Sequence, residues 1–186
     1  MSSQSEAKRL SKRLSYVLRH NPGSIGLVLD DAGWVELDEL VHRLRADGGL
    51  DVDPAQIAHV VETNDKQRFQ LVDRRIRAAQ GHSINVDLGL EPQEPPKVLW
   101  HGTVERFLES IMENGLVPGS RTHVHLSAEI ETARTVGARR GRPVILRVDA
   151  QAMHRDGHTF YRSTNGVWLT ANVPAQWIER AETEQR

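Results

Sequence analysis

Arginine and histidine carry whatever chemistry this chain performs outside the common enzyme motifs. Arg19-His20 stands where an amphipathic run ends, beside Asn21-Pro22. Arg68 lies in a stretch with strand alternation, and Arg139-Arg140-Gly141-Arg142 precedes an apolar run at Pro143. Guanidiniums form forked bonds with phosphate oxygens, and an imidazole moves protons near neutral pH, so the set suits a phosphate-bearing substrate. Each member also has a plainer reading. Arg19 and His20 would sit well on a helix C-terminal dipole, and the other arginines would be solvated charge. Spacing alone does not bring them together. His123-x-His125 and His154-x-x-x-His158 have metal-ligand spacing, but the first suits one face of a strand and Gly157 interrupts the second. Ordinary hydrogen-bonded histidines, and no metal, are expected there.

The commoner alternatives lack their signatures. There is no Walker-type loop, dinucleotide fingerprint, His-Glu-x-x-His or Gly-x-Ser-x-Gly. With no cysteine in 186 residues, disulfide scaffolds, thiolate nucleophiles and Cys-ligated zinc are excluded. No apolar leader opens the sequence and no run of about 18 apolar residues occurs, so a cytoplasmic protein away from membranes is expected. Against 25 acidic residues the 24 Lys and Arg leave a net charge of −1, which argues against wholesale polyanion binding. Local basic clusters remain: Lys8, Arg9, Lys12 and Arg13 in one helix, and Arg74, Arg75 and Arg77 after a hairpin. Each is either a solvated face or an RNA-backbone contact.

The elements that must position these residues fall into two halves. Pro92, Pro95 and Pro96 within Gly89–Pro96 predict an extended, solvated connector between domains 1–90 and 91–186. In the first, Leu10, Leu14, Val17 and Leu18 predict a helix from Glu6 to about His20, stopped by Asn21-Pro22-Gly23. Gly26–Leu29 and Trp34-Val35 read as a short hairpin around Asp30–Gly33. A second helix runs through Leu37, Leu40, Val41 and Leu44 to Gly48-Gly49, and a third starts at Asp53-Pro54. Arg68–Leu71 and Arg74–Ala78 read as a further hairpin, and the order suggests a winged helix.

The second half reads as a small α+β domain richer in strands than helices. Strands are expected at Val98–Thr103, Val124–Leu126, Pro143–Val148, Phe160-Tyr161 and Val167–Thr170. Helices are expected from Val104 to Asn114, and from an N-cap at Ser127 through Ala133 and Val136.

Six blocks in one order then resemble a known family. They are Leu14–Pro22, Leu99–Thr103, Gly115–Gly119, His123–Ser127, Val136–Val144 and Asn165–Thr170. The sequence is similar, from about Leu10 to Ile178, to the RNA 2′-phosphotransferases of the KptA family. The resemblance implies an N-terminal winged-helix-like lobe that binds RNA and phosphate. Joined to it would be an ADP-ribosyltransferase-like mixed α/β domain with a split β-sheet that binds NAD.

It further implies removal of an internal 2′-phosphate from a tRNA-like RNA, as in tRNA splicing, by a monomer that consumes NAD and uses no metal. The phosphate would displace nicotinamide to give an ADP-ribosylated RNA. The ribose 2″-hydroxyl would then attack that phosphate, leaving a 2′-hydroxyl RNA and ADP-ribose 1″,2″-cyclic phosphate. By the same resemblance the catalytic Arg-His-Arg-Arg set falls on Arg19, His20, Arg68 and Arg139. The NAD site falls on His101, Gly102, Thr103, His125, Leu126, Ser127 and Val167. His101 would hold the adenosine ribose and His125 would stack near the nicotinamide. Gly102, Thr103 and Ser127 would give backbone or hydroxyl contacts.

Val167 occupies the place where transferases that modify proteins carry a glutamate. An apolar residue there favours a phosphate acceptor, which a carboxylate would repel. Two other readings stand beside this one. The first is an ADP-ribosyltransferase that caps terminal nucleic-acid phosphates and stops after one step. The second is a winged-helix DNA-binding regulator whose second domain senses NAD, although the third helix offers only Gln56 and His59 for reading bases.

Overall fold

The computed structural model describes residues 3–48 and 50–181. The chain divides into two compact units, one up to Gly89 and one from Leu90.

In the first unit, α1 (Ser3–Arg19) buries Leu10, Leu14, Val17 and Leu18 on one stripe. Full burial of such a side chain stabilises by about 1.5–3 kcal/mol. The helix stops because Asn21 precedes a proline and takes φ −150° and ψ 71°. A 3₁₀ turn at Pro22–Ile25 follows. The expected first hairpin does not form. The Asp30 carboxylate accepts from the backbone N–H of Ala32 (3.0 Å) and of Trp34 (2.8 Å), closing a side-chain turn. Residues 27–29 therefore pass by without strand pairing, and β1 (Val35–Glu36) pairs elsewhere.

Next come α2 (Leu37–Ala46) and α3 (Pro54–Glu62). The N-terminus of α3 carries a capping box, with Asp53 accepting from Gln56 N–H and the Gln56 side chain accepting from Asp53 N–H. A hairpin joins β2 (Phe69–Val72) to β3 (Arg75–Ala78) through Asp73-Arg74, both at positive φ, the geometry of a two-residue turn. The sheet order is β1-β3-β2, all antiparallel. Its apolar face and the three helices share one core.

The second unit is α+β, with two separate three-stranded antiparallel sheets. One consists of β4 (Leu99–Val104), β6 (Pro143–Val148) and β9 (Ile178–Arg180) in that order. In the other, β8 (Trp168–Thr170) lies between β5 (Val124–Leu126) and β7 (Phe160–Arg162). Among the described residues, one bridge links the sheets. Trp100 and Ser127 exchange two backbone bonds of 2.8 Å.

Helix α4 (Glu105–Asn114) follows β4, α5 (Ile130–Gly137) packs across β4 and β6, and α6 (Ala150–Arg155) follows β6. The expected cap at Ser127 is corrected: Glu129 precedes α5, and the backbone of Ser127 is spent on the bridge. Nor is the proline-rich connector simply solvated. Gln93 N–H donates to the Phe160 carbonyl at 2.8 Å, Pro92 bridges Tyr161, and Pro95 is buried. No helix among the described residues is long and apolar enough to cross a membrane.

Candidate functional site

Arg19 closes α1, and its carbonyl accepts from the Ser83 N–H at 2.9 Å. Its guanidinium donates to the Arg68 carbonyl at 3.2 Å. That carbonyl also accepts from Ala79 N–H, so the start of β2 is tied to the end of α1. Gln67, just before Arg68, sits at φ 42°, an uncommon conformation for a residue with a side chain. His20 is exposed, and its Nδ1 lies 2.9 Å from Ser83 Oγ. The structure thus brings Arg19, His20 and the backbone of Arg68 together within the first unit.

Beneath them lies His82, only 1 % exposed. Burial, reinforced by the charges of Arg19 and Arg77 and by His20, pushes its imidazole down to about 4, so it is neutral at pH 7.

In the second unit His101 projects from β4, half-buried, with Nδ1 3.1 Å from the His125 carbonyl. Burial lowers its affinity for a second proton and the charges of Arg140 and Arg121 add to this, against the opposing effect of the carbonyl. A nitrogen bonded to a carbonyl must carry the proton, so the neutral ring leaves Nε2 as an acceptor. His125, on β5, is arranged the other way. Arg121 Nη1 lies 3.0 Å from its Nδ1, and a guanidinium only donates, so Nδ1 accepts and the proton resides on Nε2.

Arg139 and Arg140 occupy an exposed 3₁₀ turn after α5. Desolvation and the charges of both push the Arg121 guanidinium below its ordinary value, although it stays protonated. The other expected contacts fall nearby on the same two sheets. Leu126 is buried opposite Trp168, and Ser127 is the bridge residue. Val167 is half-buried just ahead of β8, where its carbonyl accepts from Ser163 N–H (2.9 Å) and Ser163 Oγ (3.0 Å).

Gly102 has a structural reason to be glycine, since a Cβ there would lie 1.8 Å from the Ala133 carbonyl of α5. Thr103 is buried at 8 % exposure. Of the histidine pairs with metal-like spacing, His154 Nδ1 is 3.3 Å from the His158 carbonyl, and His123 packs edge-on against Tyr161.

The profile of the "RNA 2′-phosphotransferase, Tpt1 / KptA family" matches residues 5–172. The chain belongs to this family of transferases. Similar proteins, each named "Probable RNA 2′-phosphotransferase", occur in Burkholderia lata, Streptomyces coelicolor and Pseudomonas fluorescens. The first is 54% identical over 184 residues, covering 97% of this chain and 94% of the relative. The second is 54% identical over 175 residues, covering 94% and 96%. The third is 56% identical over 172 residues, covering 91% and 94%.

Two parts of this phosphotransferase family member were not singled out from sequence. Arg121 precedes His125 by four residues, a spacing that carries no meaning until a loop folds back. Gly81-His82-Ser83 follows the last strand of its unit and belongs to no predicted element. The basic cluster expected after the hairpin lies in its turn and second strand, and is largely satisfied internally. Arg74 reaches Asp38 at 2.7 and 2.8 Å, Arg75 pairs with Asp30 and Glu36, and Arg77 lies 4.6 Å over the Trp34 ring.

Proposed function

We propose that this family member removes an internal RNA 2′-phosphate with consumption of NAD, yielding 2′-hydroxyl RNA, nicotinamide and ADP-ribose 1″,2″-cyclic phosphate. The observation that carries the reading is the donor and acceptor set of the second unit. A neutral His101 offers a bare Nε2 that suits a ribose hydroxyl. Nearby, Arg139 and Arg140 act electrostatically on Arg121, and Arg140 and Arg121 on His101, as groups facing a pyrophosphate would. The paired small sheets support an ADP-ribosyltransferase-like architecture. The helices and β1-β3-β2 sheet of the first unit support a winged-helix-like RNA-binding lobe.

When bound, NAD supplies an electrophilic ribose carbon with nicotinamide as its leaving group. Everything else falls to the chain. Arg19, Arg68 and Arg139 hold the 2′-phosphate for attack and offset charge on phosphorus when it becomes pentacoordinate. His20 delivers a proton to the departing RNA 2′-oxygen. Val167 directly precedes Trp168, the partner of Leu126, and offers an apolar side chain where a carboxylate would repel the phosphate. With His101 go Gly102, Thr103, His125, Leu126 and Ser127 as the proposed NAD-binding set. The protein acts without metal, as a monomer, in the cytoplasm.

The test is an incubation of a short RNA bearing one internal 2′-phosphate with the protein, with and without NAD. Nicotinamide release together with 2′-hydroxyl RNA is expected. Nicotinamide release with a persistent ADP-ribosylated RNA would establish a transferase that stops after one step. Absence of NAD consumption would overturn both enzyme readings.

A further inference from the structure

The strap 81–83 has no part in the chemistry above, yet it is built onto the end of α1. Ser83 engages that end twice. Its N–H donates to the Arg19 carbonyl at 2.9 Å, one of the last carbonyls that a helix leaves without an intrahelical partner. Its Oγ lies 2.9 Å from His20 Nδ1. Gly81, at φ +88°, lets the strap run close along Arg19, since a Cβ there would already touch the guanidinium at 3.6 Å. His82 turns inward and is buried, which anchors the strap. The Ser83 side chain is exposed, so its hydroxyl does not serve packing.

We propose that Ser83 is a positioning residue for His20: its Oγ accepts the Nδ1–H, fixing the ring so that Nε2 is the nitrogen that gives up the proton. The inference rests on the role of His20 proposed above. In a neutral imidazole the tautomer follows from the bond the other nitrogen makes. A hydroxyl accepting at Nδ1 therefore keeps Nε2 bare after the proton has left and ready to take another. The same bond persists in the charged ring, where both nitrogens carry protons and Nε2–H is the one to transfer. Buried His82, neutral at pH 7, feels the charges of His20, Arg19 and Arg77.

The experiment is long-range ¹H–¹⁵N correlation of the histidine rings in the full chain at a pH where His20 is neutral, for wild type, Ser83→Ala and Ser83→Thr. Single-turnover rates of the two steps accompany it. The Nδ1–H tautomer is expected in wild type and Ser83→Thr, with a shift toward Nε2–H in Ser83→Ala. Ser83→Ala should slow the second step about tenfold and change the first by less than about twofold. Its melting temperature should be unchanged, because the backbone bond to Arg19 survives. An unchanged tautomer in Ser83→Ala, or equal slowing in Ser83→Thr, overturns the inference. Should wild type consume no NAD with 2′-phosphorylated RNA, the proposed function fails, while the tautomer comparison still decides whether Ser83 sets the ring.

Discussion

His101 and His125 show how little of a histidine's role resides in the letter H. One ring donates through Nδ1 to a carbonyl and the other accepts at Nδ1 from an arginine, so their Nε2 atoms have opposite character. Neither arrangement is visible along the chain, because it depends on which group the folded backbone sets beside each ring. Arg121 illustrates the same limit, gaining meaning only through its 3.0 Å contact with His125. His82 is the third case, buried where composition favours a surface residue. Held neutral, with its imidazole pushed down to about 4 from an ordinary 6.5, it binds fewer protons folded than unfolded between those values. Stability should therefore be complete above about pH 6.5 and fall as the pH drops toward 4, by up to about 3 kcal/mol. Urea titrations across this range should show the loss in wild type and a flatter profile in His82→Leu. For the reaction itself, Arg139→Ala should lower the rate of 2′-phosphate removal by 100-fold or more, and Arg139→Lys should restore only part of it. A point charge replaces a planar fork in that variant. Initial rates with 2′-phosphorylated RNA check this.

Elements were legible where periodicity and end signals agreed. The apolar stripe of α1, the Asp53-Pro54 start of α3 and the apolar run of β6 all read directly from the chain. The exceptions have identifiable causes. Asp30 folds its own carboxylate onto the backbone and removes the first hairpin. Ser127 looks like a cap but serves as a bridge, a choice made by Trp100 from another sheet. Short α6 and β9 carry too few residues for a period to show. The contact of α5 with β4 depends on Gly102, and Gly102→Ala should destabilise the protein by about 3 kcal/mol or more, since the obstructing atom is backbone rather than a movable side chain. Chemical denaturation would read the loss. Removing the α3 cap in Asp53→Ala should cost about 1 kcal/mol by the same measurement.

At the scale of the molecule, two units each enclose their own core. Net charge is −1, and the arginines of the hairpin turn and β3 are mostly held by neighbouring carboxylates, an amide or carbonyls. RNA binding should accordingly be modest and shallow in its salt dependence. A slope of log K against log salt corresponding to only a few phosphates is expected from fluorescence titrations. Recognition then rests on the 2′-phosphate itself, which makes the fate of that phosphate the decisive observable. An RNA labelled with ³²P in its internal 2′-phosphate, incubated with NAD and the protein, should deliver the label into ADP-ribose 1″,2″-cyclic phosphate while the RNA backbone stays intact. Label appearing as inorganic phosphate, or released without NAD, would contradict transfer to NAD and identify a hydrolase instead.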